Sequence, residues 1–356
     1  ARAEVVTFSQ VYFQPEKAVI ALPGSPVENA TSFEDLRSAR WGAVIGTTDL
    51  AYLENILGVG DAAVYDDQIG VFQAMQAGQS AGLSAADSDR ERSYLLLVDE
   101  QLDFVHPDGA LAVPGAVDDT RRVVEWLYAH AARITRIGVT LDSHIPVQIF
   151  SPSWWADTDG QHPDPFTPIS SDDVRAGRWQ PLYEPDWSRQ YVDRLEEDAR
   201  KQLMIWPYHT LIGTPGHTLV PALYEAVAYH ANARQTNPQT IIKGMIPRTE
   251  HYSALEPEVK VPEHPNGELN TALLHEIATY DRVYIAGQAK SHCVLETVTS
   301  MMRYYPPEVV RKLHLLTDAM SSVAHPEIDF DTLADETFAR YQESGLNLVT
   351  TAAGLG

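Results

Sequence analysis

From residue 94 onward, short apolar runs alternate with longer segments in which apolar residues recur every three or four positions. The short runs are typical of buried strands, and the periodic segments are typical of helices. The predicted strands are 94–98, 133–140, 240–243, 282–286, 312–317 and 346–350. The predicted helices are 117–132, 218–234, 268–280, 291–304 and 327–344. This alternation predicts an α/β fold, with a parallel sheet between two layers of helices.

Two regions depart from this pattern. Residues 151–205 are rich in Pro, Trp and Asp, and we expect a long insertion with one helix near 187–202, acting as a lid or an oligomer contact. Residues 1–90 contain no chemical motif, and we interpret them as an N-terminal extension or small subdomain that precedes the main domain, 91–356. Strand or helix patterns occur in three parts of the extension, at 5–13, 18–22 and 71–79.

The net charge and the cysteine count limit which binding partners and which cellular compartment we expect for this protein. The chain has 26 Lys and Arg against 49 Asp and Glu, a formal net charge of -23. Because such a surface repels phosphate backbones and anionic lipid headgroups, we expect neither nucleic acid nor a membrane as a partner. We see no apolar run of about 18 residues and no signal-peptide pattern. The single cysteine excludes an internal disulfide and fits a reducing compartment, so we expect a cytoplasmic protein.

Four polar or reactive side chains lie at or just past the end of a predicted strand: Asp99, Asp142, Lys243 and Cys293. In a parallel sheet these ends share one edge, where ligands bind. Cys293 also begins a predicted helix, whose N-terminus favours a thiolate and offers N–H groups to an oxyanion. Each residue alone has a structural interpretation: a buried Cys, a paired or capping Asp, a Lys at the sheet edge.

A candidate metal site lies in the same region. Asp142 and His144 are two positions apart in an extended segment, so their side chains point the same way, and His209 is the candidate third ligand. Oxygen and nitrogen ligands together suit Zn, Fe or Mn better than Mg or Ca. Phe104 and Trp206 could clamp a flat ring. Hydrogen-bonded histidines and ordinary core aromatics are the alternatives for these residues taken singly.

The order of the motifs along the chain indicates a protein family more specifically than any single motif does. The segments LLLVDEQLDF, TLDSHIP, WPYH, IIKG with EHYSAL, and AGQAKSHCV resemble the isochorismatase-like cysteine hydrolases, and among them the nicotinamidases (pyrazinamidases). The resemblance covers 94–350, with extra length at 151–205 and 210–239. It implies the three-layer isochorismatase-like fold and hydrolysis of a small aromatic carboxamide, such as nicotinamide, through a cysteine thioester.

The resemblance also implies roles for single residues. Cys293 is the expected nucleophile, Asp99 its base, and Lys243 the cation that stabilises the anionic pair. The backbone N–H groups of Ala289 and Cys293 form the expected oxyanion hole, beside a non-proline cis peptide between Gln288 and Ala289. The remaining implied positions are the metal ligands Asp142, His144 and His209, the ring-flanking Phe104 and Trp206, and Glu250 near the metal.

Some positions differ from the family pattern. Ile149 stands where some nicotinamidases have a further metal His, Thr210 stands where a Cys is common, and Gln288 and Lys290 are more polar than usual. These differences leave two alternatives open: a related hydrolase acting on a carbamoyl, ureido or other small amide, and a catalytically silent binding or scaffold protein. Self-association into a homo-oligomer is expected from the resemblance.

Overall fold

The computed structural model describes residues 41–44, 53–54, 63–65, 85–198, 201–325 and 327–353. The chain divides into two compact units, Ala1–Ser80 and Ala81–Gly356. In the first unit, strands Gly42–Val44 and Ala63–Tyr65 pair in parallel. The patterns predicted at 5–13, 18–22 and 71–79 lie outside the described residues.

The second unit is built on a six-stranded parallel sheet. Its strands are β1 (Ser93–Val98), β2 (Arg136–Asp142), β3 (Gln239–Lys243), β4 (Arg282–Gly287), β5 (Leu313–Leu316) and β6 (Asn347–Val349). They lie side by side in the order β6-β5-β4-β1-β2-β3. Every residue of β1 is buried, as expected for a central strand that is covered on both faces.

Helices cover both faces of this sheet. The helices of the second unit are α1 (Leu102–Val105), α2 (Ala116–His130), α3 (Ser171–Arg175), α4 (Pro185–Asp198), α5 (Pro221–Arg234), α6 (Thr271–Ala278), α7 (Leu295–Tyr304), α8 (Pro307–Val310) and α9 (Phe330–Glu343). Tyr94, Leu96 and Val98 of β1 share a core with α6, α7 and α9, whereas Leu95 and Leu97 pack with α2 and α5 on the other face. The predicted αβα architecture is confirmed, and all six predicted strands overlap observed ones.

The insertion at 151–205 is more regular than its sequence pattern indicates. Besides α4, it contains α3 and two short antiparallel strand pairs, whose members are Trp155–Ala156 with Gln180–Pro181 and Pro168–Ile169 with Leu203–Met204. Five-residue α3 is too short to show a helical period, but Ser170 and Asp173 form a capping box at its start. Insertion residues share an apolar cluster with Phe104 and Trp206. Among the described residues, no helix combines the length and apolar character needed to cross a bilayer.

Candidate active site

The candidate site lies at the carboxyl edge of the sheet, where four strands end side by side. Asp99 directly follows β1, Asp142 ends β2, and Lys243 ends β3. Cys293 lies in a π-helical turn, Lys290–Val294, between β4 and α7. The structure thus brings together four side chains from distant parts of the chain, and all four are buried.

Lys243 is the centre of these contacts. Its Nζ lies 2.8 Å from Oδ2 of Asp99 and 3.5 Å from Sγ of Cys293. The same amine lies 3.0 Å from Oδ1 of Asp142. Oδ1 of Asp99 accepts a hydrogen bond from Thr140 at 2.5 Å, which fixes the carboxylate from its other side. The Lys243 amine is therefore in contact with both a carboxylate and the thiol.

Burial and the neighbouring charges shift the pKa values of these groups. Burial raises the pKa of Cys293 well above its ordinary value, more than the charge of Lys243 lowers it. Burial also raises the pKa of Asp99, against the opposing effect of Lys243. Burial alone would lower the pKa of Lys243, but Asp142 and Asp99 outweigh it and the pKa is raised. Burial thus opposes the thiolate that a helix N-terminus would favour.

The backbone at the strand ends adopts unusual conformations. Asp99 has φ 46° and Gly244, directly after Lys243, has φ 83°. A Cβ at Gly244 would lie 2.7 Å from Oδ1 of Asp142 and 3.0 Å from Cε1 of His144. Only glycine leaves room at this position for both of those side chains.

The segment before Cys293 offers a backbone donor to the pocket. The peptide bond between Gln288 and Ala289 is cis, as the resemblance implies. The carbonyl of Ala289 accepts hydrogen bonds from His292 N and Val294 N, at 3.0 Å and 3.1 Å. No acceptor among the described residues takes the Ala289 N–H. That N–H is therefore without a partner in the described part of the chain, and Ala289 lines the cavity around the thiol.

Asp142, His144 and His209 form a compact cluster beside the thiol. Their ligand atoms lie within 4.8 Å of one another, so the cluster could hold a metal ion. Nδ1 of His144 and Nδ1 of His209 contact the carbonyl oxygens of Gly244 and Pro207, at 3.2 Å and 2.7 Å. Because a carbonyl only accepts, both Nδ1 atoms donate, and the Nε2 atoms of His144 and His209 lie 2.9 Å and 3.6 Å from Oδ2 of Asp142. One carboxylate oxygen and two imidazole nitrogens form a donor set that suits zinc.

Aromatic rings form most of the pocket wall around the thiol. A cavity beside the thiol is lined by Phe104 and Trp206, and also by Phe150, Tyr252 and His292. The Phe104 ring lies 5.4 Å from that of His209, and the Trp206 ring lies 5.2 Å from that of His292. Phe150, Tyr252 and His292 are additional lining residues that the sequence motifs alone do not predict. Tyr252 lies within EHYSAL and His292 directly precedes the cysteine, so position alone could have indicated both.

Glu250 also lines the cavity, but its oxygens contact other side chains. Its carboxylate accepts hydrogen bonds from Tyr191 at 3.0 Å, from Trp206 at 3.3 Å and from the hydroxyl of Tyr252. Tyr191 belongs to α4, so the insertion reaches the pocket through this carboxylate. Burial raises the pKa of Glu250. Ile149, at the position of a possible further metal ligand, is fully buried in the apolar cluster.

Neither a model of any protein family nor any curated protein matches the sequence. Among solved structures, yeast nicotinamidase bound to the inhibitor nicotinaldehyde is similar, with 20% identity over 72% of this chain and 99% of that chain and a TM-score of 0.50. A second structure of the yeast nicotinamidase gives 19% identity, the same coverage and a TM-score of 0.50.

This chain has the fold of the nicotinamidases. The resemblance inferred from the motifs is thereby confirmed at the level of the fold. A nicotinamidase/pyrazinamidase from Acinetobacter baumanii has 19% identity, covers 75% of this chain and 99% of that chain, and gives a TM-score of 0.49. At such identities the likeness is one of fold, and the activity has to be argued from the site.

Proposed function

We propose that this protein is an amidohydrolase that converts a small aromatic carboxamide, such as nicotinamide, to its acid and ammonia through a thioester on Cys293. The contact of Cys293 with Lys243, and of Lys243 with Asp99, carries the proposal. A nucleophile, a base and a cation are the groups that cysteine-dependent acyl transfer requires. The aromatic wall fits a flat ring. From the acidic surface, the lone thiol and the resemblance, we also propose a cytoplasmic enzyme that self-associates.

Attack begins with transfer of the thiol proton to Asp99, while the charge of Lys243 stabilises the thiolate. The sulfur bonds to the amide carbon, and the carbonyl π electrons move to the oxygen. The N–H groups of Ala289 and Cys293 bind that oxyanion, and each such donor is worth about 2.7–4 kcal/mol in other enzymes. The unoccupied Ala289 N–H supports this assignment.

Collapse of the tetrahedral intermediate breaks the carbon–nitrogen bond, and Asp99 returns its proton to the departing nitrogen to give ammonia. Asp99 then takes a proton from water, which attacks the thioester. The carbon–sulfur bond breaks, and the thiolate recovers its proton. The raised pKa of Asp99 suits a group that both accepts and donates a proton.

The metal site would orient the substrate. Asp142, His144 and His209 would hold a divalent ion, zinc ahead of iron or manganese. When bound, that ion supplies an electron-pair acceptor for a ring nitrogen or its water. Phe104 and Trp206 would flank the ring, so that its amide group faces Cys293.

Ammonia release across a panel of amides tests this function. We expect release from nicotinamide and pyrazinamide and none with Cys293→Ala, whose thermal unfolding should match that of the unchanged protein. Release from ureido compounds but not aromatic carboxamides would favour the related hydrolase. No release from any amide, together with a thiol that iodoacetamide does not modify, would favour a silent binding protein.

A further inference from the structure

The segment that carries the Ala289 N–H is held by the side chains on either side of it. Gln288 is fully buried, and its carboxamide oxygen accepts from Ser321 N at 3.3 Å. The carboxamide nitrogen donates to Oδ2 of Asp119 at 3.2 Å, and the backbone N–H donates to Val98 O at 2.8 Å. The position before Ala289 is therefore fixed by three hydrogen bonds.

Lys290 anchors the other side. Its backbone N–H donates to Ser321 O at 2.8 Å, so Ser321 is bound by the residues before and after Ala289. The Lys290 amine lies 2.9 Å from Oδ1 of Asp331 and 2.7 Å from Oδ1 of Asp335, on the first turns of α9. Asp331 also accepts from Ser322 at 2.7 Å. Helix α9 is thus joined to the candidate oxyanion hole through the Lys290 side chain, and the segment around Ser321 through the Lys290 backbone.

The charges make this anchor stronger than a single surface pair. The Lys290 side chain is only 11% exposed, although its partners Asp331 and Asp335 are 60% and 64% exposed. An isolated exposed pair contributes little. Here one shielded amine meets two carboxylates four positions apart on one helix. Without the amine, the two carboxylates would repel each other, and the first turns of α9 would be less stable in their present position.

We propose that Lys290 is a positioning residue, whose ion pairs with Asp331 and Asp335 hold the Ala289 N–H where the substrate oxygen becomes negative. This inference rests on the proposed amide hydrolysis. The oxygen gains its charge only after sulfur attack, so a misplaced donor lowers kcat and leaves KM nearly unchanged.

Steady-state kinetics with nicotinamide test this role. We expect Lys290→Met to lower kcat about tenfold with little change in KM, and Lys290→Arg to restore most of it. The double variant Asp331→Asn/Asp335→Asn should lose as much as Lys290→Met, and adding Lys290→Met to it should cost little more. Arg175→Met is the matched control, because Arg175 also pairs with two carboxylates, those of Asp172 and Asp193. An unchanged kcat in Lys290→Met, or equal loss in the control, overturns the proposal.

A binding measurement separates this inference from the proposed function. Pyridine-3-carbaldehyde can add to Cys293: sulfur bonds to the aldehyde carbon, the π electrons move to the oxygen, which becomes negative, and the thiol proton moves to Asp99. We expect Lys290→Met to weaken this adduct about tenfold, measured as protection of the thiol from iodoacetamide, with unchanged alkylation in the absence of aldehyde. If the unchanged protein hydrolyses no amide, the proposed function is wrong. The difference in aldehyde affinity between Lys290→Met and the unchanged protein then tests the positioning role by itself. Equal aldehyde affinity in both proteins contradicts the positioning role.

Discussion

Asp142 faces Lys243 and His144 at once: Oδ1 lies 3.0 Å from the Lys243 amine, and Oδ2 lies 2.9 Å from Nε2 of His144. One carboxylate therefore joins the candidate metal cluster to the candidate catalytic amine. A substitution of Asp142 would disturb both groups together. The histidines, which do not contact Lys243 in this way, are the better positions at which to separate metal binding from catalysis.

Replacement of His209 tests the metal site. We expect His209→Ala to lower the affinity for a divalent metal by more than about tenfold, since even partners outside the ligand shell have effects of that size. Metal content after dialysis, measured by mass spectrometry, checks this and identifies the ion. His275→Ala, on an exposed part of α6, is the control. Equal metal content in both variants would remove His209 from the site.

Asp99 and its neighbour Glu100 offer a matched pair for the proposed base. We expect Asp99→Asn to lower turnover about a thousandfold and to slow alkylation of Cys293 at neutral pH, because the protonated thiol loses the base that accepts its proton. Burial raises the pKa of Glu100 to about 8, so Glu100→Gln reproduces its neutral form and should keep its turnover. Normal turnover in Asp99→Asn would contradict its role.

Gly244 tests whether the strand-end geometry is required. A Cβ there would meet Asp142 and His144, whereas nothing lies within 4 Å of one at Gly160. The two glycines have similar φ, 83° and 79°, so both Ala variants carry a similar backbone strain of about 1 kcal/mol or more. We expect only Gly244→Ala to lose bound metal and amide turnover as well. Equal effects in the two variants would assign the glycine to stability alone.

His230 should make folding stability depend on pH. Burial lowers its pKa from 6.5 to about 4, and its Nε2 lies 2.8 Å from the carbonyl oxygen of Ile134. The unfolded chain therefore takes up the proton first, and stability that is fully present above pH 6.5 is lost as the pH falls towards 4. Between about pH 7.5 and about pH 5 this amounts to about 2 kcal/mol.

Urea unfolding at the two pH values checks the His230 prediction. His230→Gln keeps a donor for Ile134 but cannot titrate, so its stability should fall less on acidification. His275→Ala serves again as the control, because an exposed histidine should leave the pH dependence unchanged. If His230→Gln and the unchanged protein lose the same free energy, another group is responsible.

Much of the sheet could be predicted from sequence because its strands are buried on both faces. The run Leu95–Val98 in β1 has no polar position, and a charged residue such as Asp99 stands out directly after it. Shared strand direction then predicts that such side chains meet at one edge. The order of the motifs supplied what spacing alone did not, namely which cysteine, acid and amine belong together.

Other features depend on contacts that no local pattern records. Tyr191 hydrogen-bonds Glu250 across two segments far apart in sequence, and Lys290 pairs with a helix from the end of the chain. The pKa of Cys293 is likewise not predictable from its neighbours in the sequence. A helix N-terminus favours the thiolate, but burial raises the pKa of Cys293, and burial follows from the whole fold.

The position of β1 in the sheet has a consequence for synthesis of the protein. This strand is made early by the ribosome but is flanked by β4, made much later. A nascent chain ending before Arg282 already contains Asp99, Asp142 and Lys243, yet one edge of an apolar strand still has no neighbour, which is a template for aggregation. It follows that β4 shields this edge and delivers the thiol in a single event, so that the growing chain gains protection and reactivity together.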